Sequence, residues 1–161
     1  MAENKPPVIL LVDDEEMILT SIKSFLAIET DYEVLTYTAP AEALEDLHTK
    51  VGNLDLVISD YLMPKMDGIA FLAEVKKRFP LVPRILLTGY ADKENAIKAI
   101  NEVGLYQYIE KPWNNDDLRL IIRNALEKTL LLRQLQEKIQ EVEKVHKELS
   151  DVQKEILRVF V

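Results

Sequence analysis

"VILLVDDEEM" (8–17) runs five apolar residues straight into four consecutive acids, Asp13, Asp14, Glu15 and Glu16. An apolar run this short, bounded by charge, reads as a strand buried on both faces, the kind found in parallel sheets. Carboxylates at the end of such a strand repel one another and are costly unless something offsets their charge. Two questions follow from this stretch: which other strands flank it, and what compensates the acids.

With "VILLVD" (8–13) as the first strand, four more candidates follow: "EVLTYT" (33–38), "LDLVISD" (54–60), "RILLT" (84–88) and "YQYIEK" (106–111). Helical spacing fills the gaps. Ile18, Ile22, Phe25 and Leu26 share one face, as do Ala43, Leu44 and Leu47; Ile69, Leu72 and Val75; and Ala96, Ile97, Ala99 and Ile100. Strands alternating with helices imply βαβ units and a doubly wound α/β fold with a parallel sheet. The punctuation agrees. Gly104 stands where a helix C-terminal glycine belongs, Pro40 and Pro83 sit at element starts, and Asp67, between Pro64 and Gly68, is placed to cap the next helix.

After residue 114 the chain contains no Gly and no Pro. Asn114 or Asn115 can cap the helix that this implies, and Asp116 and Asp117 suit its positive N-terminal dipole. Leu118, Ile121 and Ala125, and then Leu132, Leu135, Ile139, Val142, Leu149, Ile156 and Phe160, recur three and four apart as a heptad seam. A lone helix of this length has nothing of its own to bury that stripe against, so the pattern predicts a homodimer through a parallel coiled coil. Lys128, His146 and Gln153 fall at inward positions, and a local shift of the seam toward Val145 and Val152 is equally allowed. The predicted organisation is an N-terminal tail (1–6), a globular domain (7–128) and a coiled-coil signalling helix (129–161). The helix ends "RVFV" in mid-pattern and without a cap, which predicts an output domain beyond it.

Composition narrows the function. Nearly half of the 161 residues are hydrophobic, 48%, yet no run approaches the ~18 apolar residues of a membrane span. "MAENKPPVIL" (1–10) has no signal-peptide pattern, so no membrane association is expected. The absence of cysteine excludes disulfides and thiolate metal sites and fits a cytoplasmic protein. A net charge of −8 argues against direct nucleic-acid binding by this chain.

Ligands of open parallel sheets bind outside the carboxyl ends of the strands. Asp13 and Asp14 lie at the end of strand one, Asp60 at the end of strand three, Thr88 at the end of strand four and Lys111 at the end of strand five. Three carboxylates in one corner call for a hard cation, and oxygen-only ligands favour Mg²⁺. Lys111 and the Thr88 hydroxyl add a positive charge and a donor, which makes a pocket for a small oxyanion such as a phosphoryl group on one of the carboxylates. Each piece alone is unspecific, since an Asp pair after a strand is more often a helix cap with a solvated neighbour. The set at successive strand ends is what carries the reading.

"VILLVDDEEMI", "DLVISDYLMPKMDGIAFL", "RILLTGYAD" and "YIEKPWNNDDL" strongly resemble the receiver domain of two-component response regulators, over about residues 7–128. The resemblance implies a flavodoxin-like fold, a five-stranded sheet in order 2-1-3-4-5, with helix five extended into the coiled coil. It implies that Asp60 accepts a phosphoryl group from a histidine kinase with Mg²⁺ or Mn²⁺. Asp13, Asp14, Asp60 and the backbone carbonyl of Leu62 would hold the metal, and Lys111 would pair with a phosphoryl oxygen. Thr88 and Tyr108 would form the switch pair, and the Lys111–Pro112 bond would be cis. Leu62 and Tyr90 occupy the positions that tune phosphoryl lifetime in this family. Leu62 offers no hydrogen bond to an attacking water and Tyr90 is bulky, so slow self-dephosphorylation is expected. The helix could lead into an HD-type cyclic-dinucleotide phosphodiesterase, a diguanylate cyclase, a kinase or phosphatase module, or a DNA-binding output, and the "KPWNNDDL" ending resembles receivers of the first group somewhat more than the others. On this reading the chain is a phosphoacceptor signalling domain and not an enzyme that turns over a substrate. His146 lies in "VHKELSD", which lacks the acid after histidine that kinase helices carry, and His48 reads as a surface residue.

Two rivals stand beside this reading. A phosphatase of the haloacid dehalogenase type also uses an aspartate nucleophile on a parallel sheet, but would want its two acids two residues apart, whereas Asp13 and Asp14 are adjacent. A phosphate-independent coiled-coil adaptor would have no use for the intact Asp13, Asp14, Asp60, Thr88 and Lys111 set.

Overall fold

The computed structural model describes residues 5–160. Its elements run β1 (Val8–Val12), α1 (Glu16–Glu29), β2 (Glu33–Tyr37), α2 (Pro40–Thr49), β3 (Leu56–Asp60), α3 (Gly68–Arg78), β4 (Arg84–Thr88), a short 3₁₀ turn (Tyr90–Asp92), α4 (Lys93–Glu102), β5 (Gln107–Glu110) and α5 (Asn115–Phe160). The five strands are all parallel, in order β2-β1-β3-β4-β5. This is the doubly wound fold that the strand and helix spacing predicts, in the flavodoxin-like strand order that the resemblance implies. The chain forms two compact units, Met1–Thr129 and Leu130–Val161. Among the described residues, no helix is long and apolar enough to cross a membrane.

Alternation along the strands sends side chains to two cores. Leu10, Val12, Val57 and Leu86 pack with Ala43 and Leu47 of α2, Phe71 and Leu72 of α3, and Ala96 and Ala99 of α4. Ile9, Leu11, Ile58 and Leu87 pack with Leu19, Ile22 and Leu26 of α1 and with Leu118, Ile122 and Ala125 of α5. β1, β3 and β4 therefore have both faces covered, which is why their sequences are continuous apolar runs rather than alternating ones.

The helix faces follow the predicted spacing with local corrections. Leu19 rather than Ile18 is the buried residue of the first turn of α1, and Ile97 is 46% exposed on α4. In α5, Ile122 and Leu126 are buried as well as Leu118 and Ala125, while Ile121 is half-buried. The sheet-facing stripe of α5 is thus Leu118, Ile122, Ala125 and Leu126, with Ile121 at its edge.

The caps explain where the elements begin and end. The Asp67 carboxylate accepts from the Ala70 N–H at 2.8 Å and opens α3. The Asn114 side chain accepts from the Asp116 N–H at 2.8 Å, so it rather than Asn115 caps α5. Pro40 is the first residue of α2. Gly104, past the end of α4, has φ +72°, a conformation that favours glycine.

Candidate functional site

The carboxyl end of the sheet brings together groups from β1, β3 and β5. Asp13 follows β1 and is fully buried, its Oδ1 accepting the Glu15 N–H at 2.9 Å. Glu15 is the N-cap of α1 and Glu16 its first residue, so the four acids divide between the site and a helix terminus whose dipole favours negative charge. Asp60 ends β3 and is buried; its Oδ1 accepts the Tyr61 N–H at 2.9 Å. Lys111, just past β5, reaches both carboxylates, with Nζ 3.0 Å from Asp60 Oδ1 and 3.2 Å from Asp13 Oδ2. Asp14 is exposed, yet Asp13, Asp14 and Asp60 each place a carboxylate oxygen within 4.8 Å of the others.

Local structure holds these groups in place. The Gly68 N–H donates to the Tyr61 carbonyl at 2.7 Å. A Cβ at Gly68 would overlap the Asp60 backbone carbonyl, so only glycine lets α3 start this close to the end of β3. Lys65 has φ +72°, and the Met66 N–H donates to the Pro64 carbonyl at 2.8 Å across it. That γ-turn is a strained conformation for a side-chain-bearing residue and stands beside the site. The Lys111 N–H donates to the Thr88 carbonyl at 2.8 Å, and the Lys111–Pro112 bond is cis.

Burial sets the electrostatics. Asp13 is pushed up to about 6, first by loss of water, and is held back by the Glu15 N–H and by Lys111. Burial also raises Asp60, against the Lys111 hydrogen bond and charge. For Lys111, burial alone would favour the neutral amine, but the hydrogen bond it donates to Asp60 and the Asp13 charge outweigh it and raise the group. The site therefore has a buried deficit of positive charge that a divalent cation fits. Its donors are carboxylate oxygens only, the set expected for a hard ion such as Mg²⁺.

The remaining predicted residues lie around this centre. Thr88, buried at the end of β4, donates its hydroxyl to the Gly89 carbonyl at 2.8 Å. Tyr108 pairs across from Leu86 in β5, two residues before Thr88 on the neighbouring strand, and is half-buried against the α2–α3–α4 core. Leu62 is 59% exposed. Tyr90 opens the 3₁₀ turn, and its side chain lies outside the described residues. Trp113 packs partly against the α1–α5 core and its indole donates to Asn115 Oδ1 at 3.2 Å. His48 and His146 are exposed.

Sequence reasoning missed Arg84. It is buried at the start of β4, with Nη1 donating to the Val82 carbonyl at 3.0 Å and Nη2 to the Gly104 carbonyl at 2.9 Å. An arginine opening an otherwise apolar strand was the signal available.

Comparison with known proteins agrees with this geometry. The family described as "Response regulator receiver domain" matches residues 9–123. The hydrogenase transcriptional regulatory protein HoxA of Cupriavidus necator is 36% identical over 124 residues, covering 77% of this chain and 25% of the relative. The chain spans about a quarter of the length of the curated relatives it matches. Among solved structures, a response regulator receiver domain protein from Clostridium thermocellum is 40% identical with a TM-score of 0.73, covering 78% of this chain and 98% of that one. The signal receiver domain of an HD domain-containing protein from Pseudomonas fluorescens Pf-5 is 39% identical with a TM-score of 0.71, covering 78% and 98%. A parallel sheet in this strand order, with three acids and a lysine gathered at its carboxyl end, belongs to the receiver domain family of response regulators.

Proposed function

We propose that Asp60 is the phosphoacceptor of this receiver, taking a phosphoryl group from the phosphohistidine of a histidine kinase. The observation that carries the reading is the convergence of Asp13, Asp14, Asp60 and Lys111 from three strand ends on one corner. A carboxylate oxygen of Asp60 attacks phosphorus in line, the phosphorus–nitrogen bond breaks, and the histidine leaves. Asp13, Asp14, Asp60 and the Leu62 carbonyl would hold Mg²⁺ or Mn²⁺. When bound, such an ion supplies the positive charge that lets the acids stay ionised and that offsets charge on the transferred oxygens. Lys111 moves its hydrogen bonds from the Asp60 and Asp13 carboxylates to a phosphoryl oxygen. The Thr88 hydroxyl turns from the Gly89 carbonyl toward the same group, and Tyr108 fills the space that it leaves. The chain then resets by hydrolysis of the acyl phosphate.

The division of labour follows: a cytoplasmic receiver over 7–128 and a signalling helix over 129–161 that pairs with a second copy. Support for the pairing is the row of exposed apolar residues Leu135, Ile139, Val142, Leu149 and Ile156. An HD-type output is favoured by the Pseudomonas fluorescens neighbour. A transcriptional output is the second reading, favoured by HoxA.

Incubation with acetyl phosphate and Mg²⁺ tests the site. The expected result is a mass increase of one phosphoryl group, lost in Asp60→Ala. Steady turnover of a generic phosphate ester would instead make the chain a phosphatase, and an unchanged mass would make it an adaptor.

A further inference from the structure

The helix beyond Thr129 carries two heptad frames. Leu135, Val142, Leu149 and Ile156 belong to both and are between 50% and 66% exposed. In the first frame they alternate with Leu132, Ile139, His146 and Gln153; in the second, displaced by one residue, with Leu131, Lys138, Val145 and Val152. The first frame is apolar before Val142 and then carries His146 and Gln153 before Phe160. The second has Leu131 and Lys138 before Val142 and only valines after it, ending in Val159. From Lys138 to Gln153, each frame is apolar where the other is polar.

We infer that this helix pairs in parallel with a second copy of the chain through a seam that changes frame at Val142. The inference rests on the dimeric reading above. The first half of the seam is Leu132, Leu135, Ile139 and Val142; the second is Val145, Leu149, Val152, Ile156 and Val159. The steps from Ile139 to Val142 to Val145 are both three residues, a break of the three–four alternation that overwinds the pair locally. What offsets that distortion is the exclusion of His146 and Gln153 of both copies from an apolar seam, where each would lose water without a partner. Val145 and Val152, 49% and 53% exposed on the single helix, take their places.

Two further features fit this seam. A shallow surface groove is lined by Lys138, Glu141, Val142, Val145, His146 and Leu149. Val142, Val145, His146 and Leu149 have the spacing of the four residues that receive a knob in a coiled coil, a hole that both frames share and that places a partner helix on this face. The flanks are also complementary. In a parallel, in-register pair, residues five apart meet across the seam. Lys138 then meets Glu143 of the second copy, Glu141 meets its His146, and Glu148 meets its Gln153, with no like charges opposed. The opposite face carries Lys144, Lys147, Asp151, Lys154 and Arg158, as a solvated back requires.

The chain has no cysteine, so single-cysteine variants of the 161-residue chain report contacts directly. Leu135→Cys, in both frames, is expected to form a disulfide-linked dimer on mild oxidation. Val145→Cys and Val152→Cys are expected to cross-link at least about tenfold faster than His146→Cys and Gln153→Cys, because Cα atoms more than about 7 Å apart cannot be bridged. Equal or faster linking at 146 and 153, with Leu135→Cys linking normally, overturns the change of frame and leaves the dimer standing. Failure of Leu135→Cys to link, with sedimentation as a monomer, overturns the dimer and the seam together. Melting gives an independent reading: His146→Leu should leave the helix transition in place, and a rise of several degrees would put position 146 inside the seam against this inference.

Discussion

Two buried cations stand at opposite ends of the sheet and are held in different ways. At the carboxyl end, Lys111 Nζ lies between the carboxylates of Asp60 and Asp13, 3.0 and 3.2 Å away. At the amino end, Arg84 is surrounded by the carbonyls of Pro80, Val82 and Gly104, and its buried Nε has no hydrogen-bond partner. Backbone carbonyls are neutral and fixed by the fold, so the Arg84 fork ties the turn before β4 to the one before β5. Burial lowers its pKa, with no nearby anion raising it again. The Lys111 cluster has charged, titratable acceptors, and the lysine side chain is 22% exposed. One arrangement is a staple, and the other can be rebuilt around an incoming ion or phosphoryl group.

Removing each cation sharpens the contrast. Lys111→Met leaves two buried carboxylates facing each other and is expected to cost about 3 kcal/mol of stability at about pH 8, measured by urea denaturation. That cost should shrink as pH falls and the carboxyls take up protons. Arg84→Met strands carbonyls rather than charges, with an expected cost of about 2 kcal/mol that stays flat from about pH 5 to about pH 9. It should leave phosphoryl uptake intact. A pH-dependent penalty at Arg84, or a flat one at Lys111, would erase the distinction.

Titration of the metal-free site provides a smaller effect with a defined sign. Asp13 binds a proton more tightly folded than unfolded, so its contribution to stability is present below about pH 4 and is lost as pH rises through about 6. Mg²⁺ competes with that proton. Its affinity, followed by calorimetry, is expected to rise up to about tenfold per unit as pH climbs toward 6, and to level off above it. The smallest effect concerns the rim. Leu62→Asn combined with Tyr90→Ala should shorten the phosphoryl lifetime several-fold, read by the decay of the mass-shifted species, with no change in stability.

Much of this was legible in the chain because the fold repeats one signal. Each apolar run ends in a chemically distinct residue, and a parallel sheet puts all such ends on one side, so Asp13, Asp60, Thr88 and Lys111 could be grouped before any coordinates. The resemblance put Asp14 directly on the metal and Asp13 mostly behind a water, but the spacing of the residues left the burial of each open. Only the fold shows that Asp13 is buried against a backbone N–H while Asp14 is exposed. Arg84 stayed hidden because its partners are carbonyls, which every residue has and no pattern marks. The faces of α4 and α5 were misjudged at Ile97 and Ile122, because several helical stripes one residue apart are equally apolar in the sequence and only packing on the sheet picks one.

The proposed role of the carboxyl-end cluster turns on whether Asp60 takes the phosphoryl group. Treatment with acetyl phosphate and Mg²⁺, reduction of the acyl phosphate with borohydride, and peptide mass mapping test it most directly. The expected result is homoserine in place of Asp60 in the peptide spanning β3, with Asp13 and Asp14 unchanged. Homoserine at Asp13 or Asp14, or none anywhere in the chain, would contradict it.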